Sequence, residues 1–128
     1  MIDIRFGENT EVIASVRGFE IVTDQPVAAG GRNSAPDPFT LFLTSVGTCA
    51  GYYTLKYCKA NGIDPAAVRL KLTAVRDIQT RRMSKLRTDV HLPEGVDPRH
   101  HEGIRVAIDE CAVKKAMQDM PAFEVRFG

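Results

Sequence analysis

The chain has 128 residues, 44% of them hydrophobic and 26% charged, with a formal net charge of +1. That is the length of one domain able to bury a real core, with the composition of an ordinary water-soluble protein. Nucleic-acid binding needs a clustered basic surface, and here the densest run, Arg81-Arg82 with Lys85 and Arg87, reads as a solvated turn and strand face.

Ile2, Ile4 and Phe6 alternate with Asp3 and Arg5, which predicts a first strand. The same stretch has no basic lead and no long apolar run, so no signal peptide is expected. Glu8-Asn9 makes a turn, and Val12 to Val16 and Phe19 to Val22 flank a tight Arg17-Gly18 turn. The result is an antiparallel meander. Thr23 to Pro36, with two prolines and two glycines, is a loop.

A helix follows from Pro38 to Ala60. Asp37 can cap its N-terminus and Pro38 takes the first helical position, while Asn61-Gly62 and then Pro65 stop it. Such a helix is roughly 35 Å long at 1.5 Å per residue. Phe39 to Leu55 contains no charged residue. That length raises a membrane span, but Thr40, Thr44, Ser45, Gly47, Thr48 and Gly51 leave it too weakly apolar. A helix buried on most faces is the better reading. A chain this small can hardly enclose it alone, so a partner subunit is expected to supply the missing cover.

Two amphipathic strands come next. Val68, Leu70, Leu72 and Ala74 oppose Arg69, Lys71 and Thr73; Leu86, Thr88, Val90 and Leu92 oppose Lys85, Arg87, Asp89 and His91. Asp97-Pro98 starts a helix carrying Ile104, Ala107, Ile108 and Cys111, and Cys111 to Met117 either continues it or forms a second short helix. Phe123 to Phe127 is predicted as a closing strand. The order is β-β-β-α-β-β-α-α-β, an α+β fold of antiparallel sheets on a long central helix.

Three cysteines without a secretion signal fit a reducing cytoplasm with free thiols. Cys49 sits mid-helix in apolar surroundings. It serves there either as a small core hydrophobe or as a reactive thiol, and reactivity needs a cationic or donor neighbour. Cys58 is nine residues on and, at about 100° per residue, faces away from Cys49. It reads as structural. Cys111 follows Asp109-Glu110. A helix beginning there would favour its thiolate and the two carboxylates would oppose it; a core position is the other reading. Cys49 and Cys111 are too far apart for a zinc knuckle. His100-His101 point about 100° apart on a helix, read as a solvated pair and suggest no metal site. Tyr52, Tyr53 and Tyr57 read as core or subunit packing. No cofactor motif is present, since a phosphate-binding glycine loop and a nucleophilic serine motif are both missing.

Gly30-Gly31, then Ala35-Pro36-Asp37-Pro38, then a helix with Leu43, Gly47 and Cys49, together resemble the OsmC/Ohr family. Asp109-Glu110-Cys111-Ala112-Val113-Lys114-Lys115-Ala116 is similar to that family's second cysteine segment, with Ala112 where proline is usual. The resemblance spans essentially the whole chain as one domain. It implies an intertwined homodimer with active sites between subunits. It also implies thiol-dependent reduction of organic hydroperoxides, with a cellular dithiol as reductant. Carried over by position, Cys49 is the peroxidatic cysteine and Cys111 the resolving one. Family peroxidases pair an arginine with a glutamate at the start of the first helix, where this chain has the uncharged Phe39 and Thr40. Arg17 is the candidate to lower the Cys49 pKa, with Arg32 second. The alternative is a non-enzymatic ligand-binding or redox-sensing dimer on the same fold.

Overall fold

A computed structural model describes residues 1–128. The chain forms two compact units, Met1–Thr44 and Ser45–Gly128.

The first unit holds a three-stranded antiparallel meander of β1 (Asp3–Phe6), β2 (Val12–Val16) and β3 (Phe19–Thr23), in the order β1-β2-β3. Ile4 pairs with Ala14 and Ala14 with Ile21, which keeps apolar side chains on one face. Val16 pairs with Phe19 across a two-residue turn in which Arg17 and Gly18 both have positive φ, 50° and 83°. That is the turn whose twist matches paired strands, and glycine is its usual second residue. After β3 the chain winds around one buried carboxylate. Asp24, 1% exposed, accepts bonds from Thr10 Oγ1 and from the backbone N–H groups of Gln25, Arg32 and Ser34 at 2.8, 3.1 and 3.0 Å. Ser34 Oγ adds a further bond at 2.7 Å. The Gly/Pro loop is thus fixed from within by a single acid.

The long helix α1 runs Pro38–Ala60, as its caps predict. Asp37 Oδ1 accepts the Thr40 N–H at 2.7 Å, and Gly62 takes φ 69° past the other end. Ala50, Thr54 and Cys58 are its fully buried residues, one stripe at a four-residue spacing. One chain does not enclose this helix, as its size led us to expect: Phe39, Tyr52 and Leu55 are exposed. Two strands and two short helices are too little structure to surround 23 residues of helix.

In the second unit β4 (Arg69–Arg76) and β5 (Met83–His91) form an antiparallel pair. Leu70 faces Val90, Leu72 faces Thr88 and Ala74 faces Leu86, so the predicted apolar face is the one that meets the core. Helix α2 spans His100–Asp109 and α3 spans Ala112–Gln118, separated by a break at Glu110-Cys111. His100 is a correction to the solvated pair read from the sequence. It is half-buried, and Tyr57 Oη lies 2.9 Å from its Nδ1, tying α2 to α1. His101 is exposed.

The predicted closing strand is also corrected. Residues 123–127 take part in neither sheet. Alternation supplies the two faces of a strand, but a strand exists only where a neighbouring ladder accepts its hydrogen bonds.

Candidate active site

Both thiols of interest belong to the second unit. Cys49 lies half-buried in the middle of α1. Cys111, 1% exposed, occupies the N-cap of α3, where its Sγ accepts the Lys114 N–H at 3.4 Å. Its own N–H is bonded back to Ile108 O at 3.0 Å, so the cysteine is held from both sides. Helix α2 stops at Asp109 and α3 begins at Ala112, and the bend between them brings the start of α3 to face α1.

At that meeting point the two thiols influence each other and differ in acidity. Burial opposes the Cys49 thiolate, but hydrogen bonds from the Cys111 thiol and from the Val113 and Ala112 N–H groups outweigh it and bring Cys49 below the ordinary thiol value. Those N–H groups lie in the first turn of α3, whose first N–H groups have no partner inside the helix. Cys111 moves the other way. Burial, and its role as donor to Cys49, push its thiol up. The negative charge therefore belongs on Cys49, and the proton on Cys111.

The two carboxylates before Cys111, expected to oppose a thiolate, are engaged elsewhere. Asp109 is paired with Lys114, and Glu110 Oε2 lies 2.8 Å from Lys115 Nζ. Cys111 also lines a cavity of about 380 Å3 whose walls include Val46 and Ala50 of α1, Leu72 of β4, Leu86 of β5 and Ile108 of α2. Val46 and Ala50 bracket Cys49 along α1. A mostly apolar pocket thus lies against Cys111.

The remaining candidates fall elsewhere. Cys58 is fully buried against a smaller cavity lined by Thr54, Val68 and Leu70, and burial pushes its thiol up, which suits a packing role. Arg17 is exposed at the β2–β3 turn of the first unit. Arg32, in the same unit, has its guanidinium 3.4 Å from Glu8 Oε2. At the start of α1, the Phe39 ring sits 5.5 Å from that of Phe42, and the first turn carries no acid. No three His, Cys, Asp or Glu side chains converge as a metal site, and no helix is long and apolar enough to cross a membrane. Sequence reasoning missed the Asp24 hub and the Tyr57–His100 bond. For Asp24 the available signal was an acid ahead of a Gly/Pro-rich loop, the setting in which Asp side chains organise backbone N–H groups.

The family model for OsmC-like proteins matches residues 31–126, and the chain belongs to that family. Solved structures share the fold. One, from Psychrobacter arcticus 273-4 and assigned to an osmotic-stress-induced detoxification response, is 22% identical, with a TM-score of 0.74 over 90% of this chain and 85% of that one. An OsmC-like protein from Mycoplasma pneumoniae is 17% identical, with a TM-score of 0.68 over 92% and 86%. An organic hydroperoxide resistance protein OsmC from Legionella pneumophila is 16% identical, with a TM-score of 0.60 over 92% and 88%. No curated protein gives a match to this sequence.

Proposed function

We propose that this chain is a cytoplasmic, homodimeric, thiol-dependent reductase of organic hydroperoxides, folded as one OsmC-like domain over residues 1–128. What supports it most is the mutual influence of Cys49 and Cys111, where α3 begins facing α1, with ionisation favoured on Cys49 and the proton kept on Cys111. That division of labour is what a peroxidatic and a resolving cysteine need.

In this reading the Cys49 thiolate attacks the terminal peroxide oxygen. The O–O bond breaks, Cys49 becomes a sulfenic acid, and the departing alkoxide takes a proton from solvent to leave as the alcohol. The Cys111 sulfur then attacks the sulfenic sulfur, and hydroxide and the Cys111 proton leave as water, with an S–S bond formed. A cellular dithiol returns both thiols by exchange and is itself oxidised to a disulfide. The apolar cavity beside Cys111 suits an alkyl chain better than hydrogen peroxide. The organic hydroperoxide resistance described for the Legionella neighbour agrees with that substrate class. Arg17 is the cation assigned to hold the thiolate in the assembled protein. The dimer is supported by the apolar surface that one chain leaves open on α1, at Phe39, Tyr52 and Leu55.

A redox-sensing dimer is the second reading, favoured by the first turn of α1, where Phe39 stands and no acid is present. Turnover separates the two. With cumene hydroperoxide and a dithiol both in excess, the reductase consumes many equivalents of peroxide per chain. A sensor whose disulfide the dithiol does not reduce stops after one equivalent, and that result would overturn the enzymatic reading.

A further inference from the structure

Five cations and one acid fall in residues 76–87, a net charge of +4 in a chain whose total is +1. The fold gathers them on one hairpin. β4 ends at Arg76, β5 begins at Met83, and Asp77 to Arg82 form the tip between them. Asp77 orders that tip. Its Oδ1 accepts the Gln79 and Thr80 N–H groups at 2.9 and 2.8 Å, its carbonyl accepts the Arg81 N–H at 3.0 Å, and its own N–H reaches Arg82 O at 2.9 Å. The Thr80 and Gln79 N–H groups hold its carboxyl below the usual carboxylate range. The one acid of the tip is thus engaged by its own loop. Arg81, Arg82 and Lys85 form no ion pair, whereas the arginine and lysines of α2 and α3 are each paired with a carboxylate. In the same tip Ile78 is 93% exposed. A lone exposed apolar residue is ordinary. One on an ordered tip beside unpaired cations has the composition of a lipid-surface contact.

We propose that the tip of the β4–β5 hairpin docks on an anionic lipid surface, with Ile78 entering the acyl boundary and Arg81 and Arg82 meeting headgroup phosphates. A bilayer offers both chemistries at once. Nucleic acid would meet the cations but leave Ile78 in water, and residues 76–87 include no aromatic side chain on which a base could stack. No helix is long and apolar enough to cross a membrane, and a surface contact needs none. Placement agrees. The three residues after the tip, Met83, Ser84 and Lys85, line the cavity that Cys111 also lines. A hairpin seated on a bilayer therefore brings that cavity to where apolar hydroperoxides concentrate, since alkyl chains leave water for lipid. In this respect the choice of lipid rests on the organic-hydroperoxide reading, and the binding itself is measured without peroxide.

Sedimentation of the whole protein with lipid vesicles tests it. At low salt, vesicles of equal parts phosphatidylglycerol and phosphatidylcholine are expected to carry the parent down, and phosphatidylcholine alone to leave it in solution. Binding should weaken as salt is raised. Arg81→Asn combined with Arg82→Gln is expected to lower partitioning about tenfold or more, and Ile78→Ser about threefold or more, both at unchanged Tm. Asn suits position 81 because the φ there is 62°. Equal binding to both kinds of vesicle, or to neither, overturns the proposal, as does a double variant that binds like the parent. Binding that Ile78→Ser leaves intact and a short DNA duplex displaces also overturns it, and assigns the tip to a nucleic acid. A parent that binds the anionic vesicles but consumes no cumene hydroperoxide keeps the docking surface and overturns only the enzymatic reading.

Discussion

Cys49 and Cys111 are close enough to set each other's acidity, and the influence moves the two thiols in opposite directions, Cys49 down and Cys111 up. The asymmetry comes from where each sulfur sits. Cys49 faces the Ala112 and Val113 N–H groups at the start of α3, whereas Cys111 is enclosed at the α2–α3 bend. One sulfur is thereby prepared to attack and the other to wait.

Substitution separates the two roles. Cys49→Ser is expected to abolish consumption of cumene hydroperoxide. Cys111→Ser is expected to leave a sulfenic acid on Cys49 that a dimedone probe captures as a mass adduct. Parent-rate reduction by both variants would mean that these sulfurs do not carry the reaction.

The same influence predicts a pH dependence. Because the Cys49 pKa lies below the ordinary thiol value, its thiolate persists as pH falls below the range where a free cysteine is protonated. Iodoacetamide should therefore label Cys49 at pH values where Cys58, raised by burial, stays unreactive. Cys111→Ala removes the thiol donor, and the labelling profile of Cys49 should move to higher pH. A profile unchanged by that substitution would show that Cys111 does not set the acidity of Cys49.

Asp24 fixes the loop from Gln25 to Ser34 by accepting bonds from three backbone N–H groups and two hydroxyls. Those bonds hold its carboxyl far below the usual carboxylate range, led by the Thr10 hydroxyl. The depressed folded value means that the unfolded chain takes up the proton first, near pH ~3.9, so acid favours unfolding. The contribution is complete above that pH and is lost as pH falls. Asp24→Asn should lower Tm by about 5–10 °C at pH 7. It should also flatten the fall of Tm between pH 5 and pH 3, a comparison made by thermal melts of both proteins.

Gly103 on α2 lies beside Tyr57, where a Cβ would come within 2.3 Å of the phenolic oxygen. The ring is held by its bond to His100 and has little room to retreat. Gly103→Ala should cost about 1–3 kcal/mol in denaturant unfolding. Tyr57→Phe, which removes only the bond to His100, should cost about 1 kcal/mol.

Much of this architecture could be read from local chemistry. The long helix was legible to its end residues because Asp37, Pro38 and Asn61-Gly62 are caps with a mechanism, and the caps form. The apolar faces of β4 and β5 followed from alternation alone, and the structure adds the register that sets them opposite each other. Three features were not legible, each because it depends on a partner distant in the sequence. His100 looked like half of a solvated pair until Tyr57 was placed opposite it. The break before Cys111 was ambiguous because Ile104, Ala107, Ile108 and Cys111 keep helical spacing straight through it. Residues 123–127 have the pattern of a strand but, in one chain, no ladder to join.

The most direct test of the central claim is to oxidise the fully reduced protein with one equivalent of cumene hydroperoxide and map its thiols by peptide mass spectrometry. One cumyl alcohol is expected per chain, together with a Cys49–Cys111 disulfide within that chain, and Cys58 should still be free to alkylate after denaturation. Recovery of the peroxide intact, with Cys49 and Cys111 both still reduced, would contradict it.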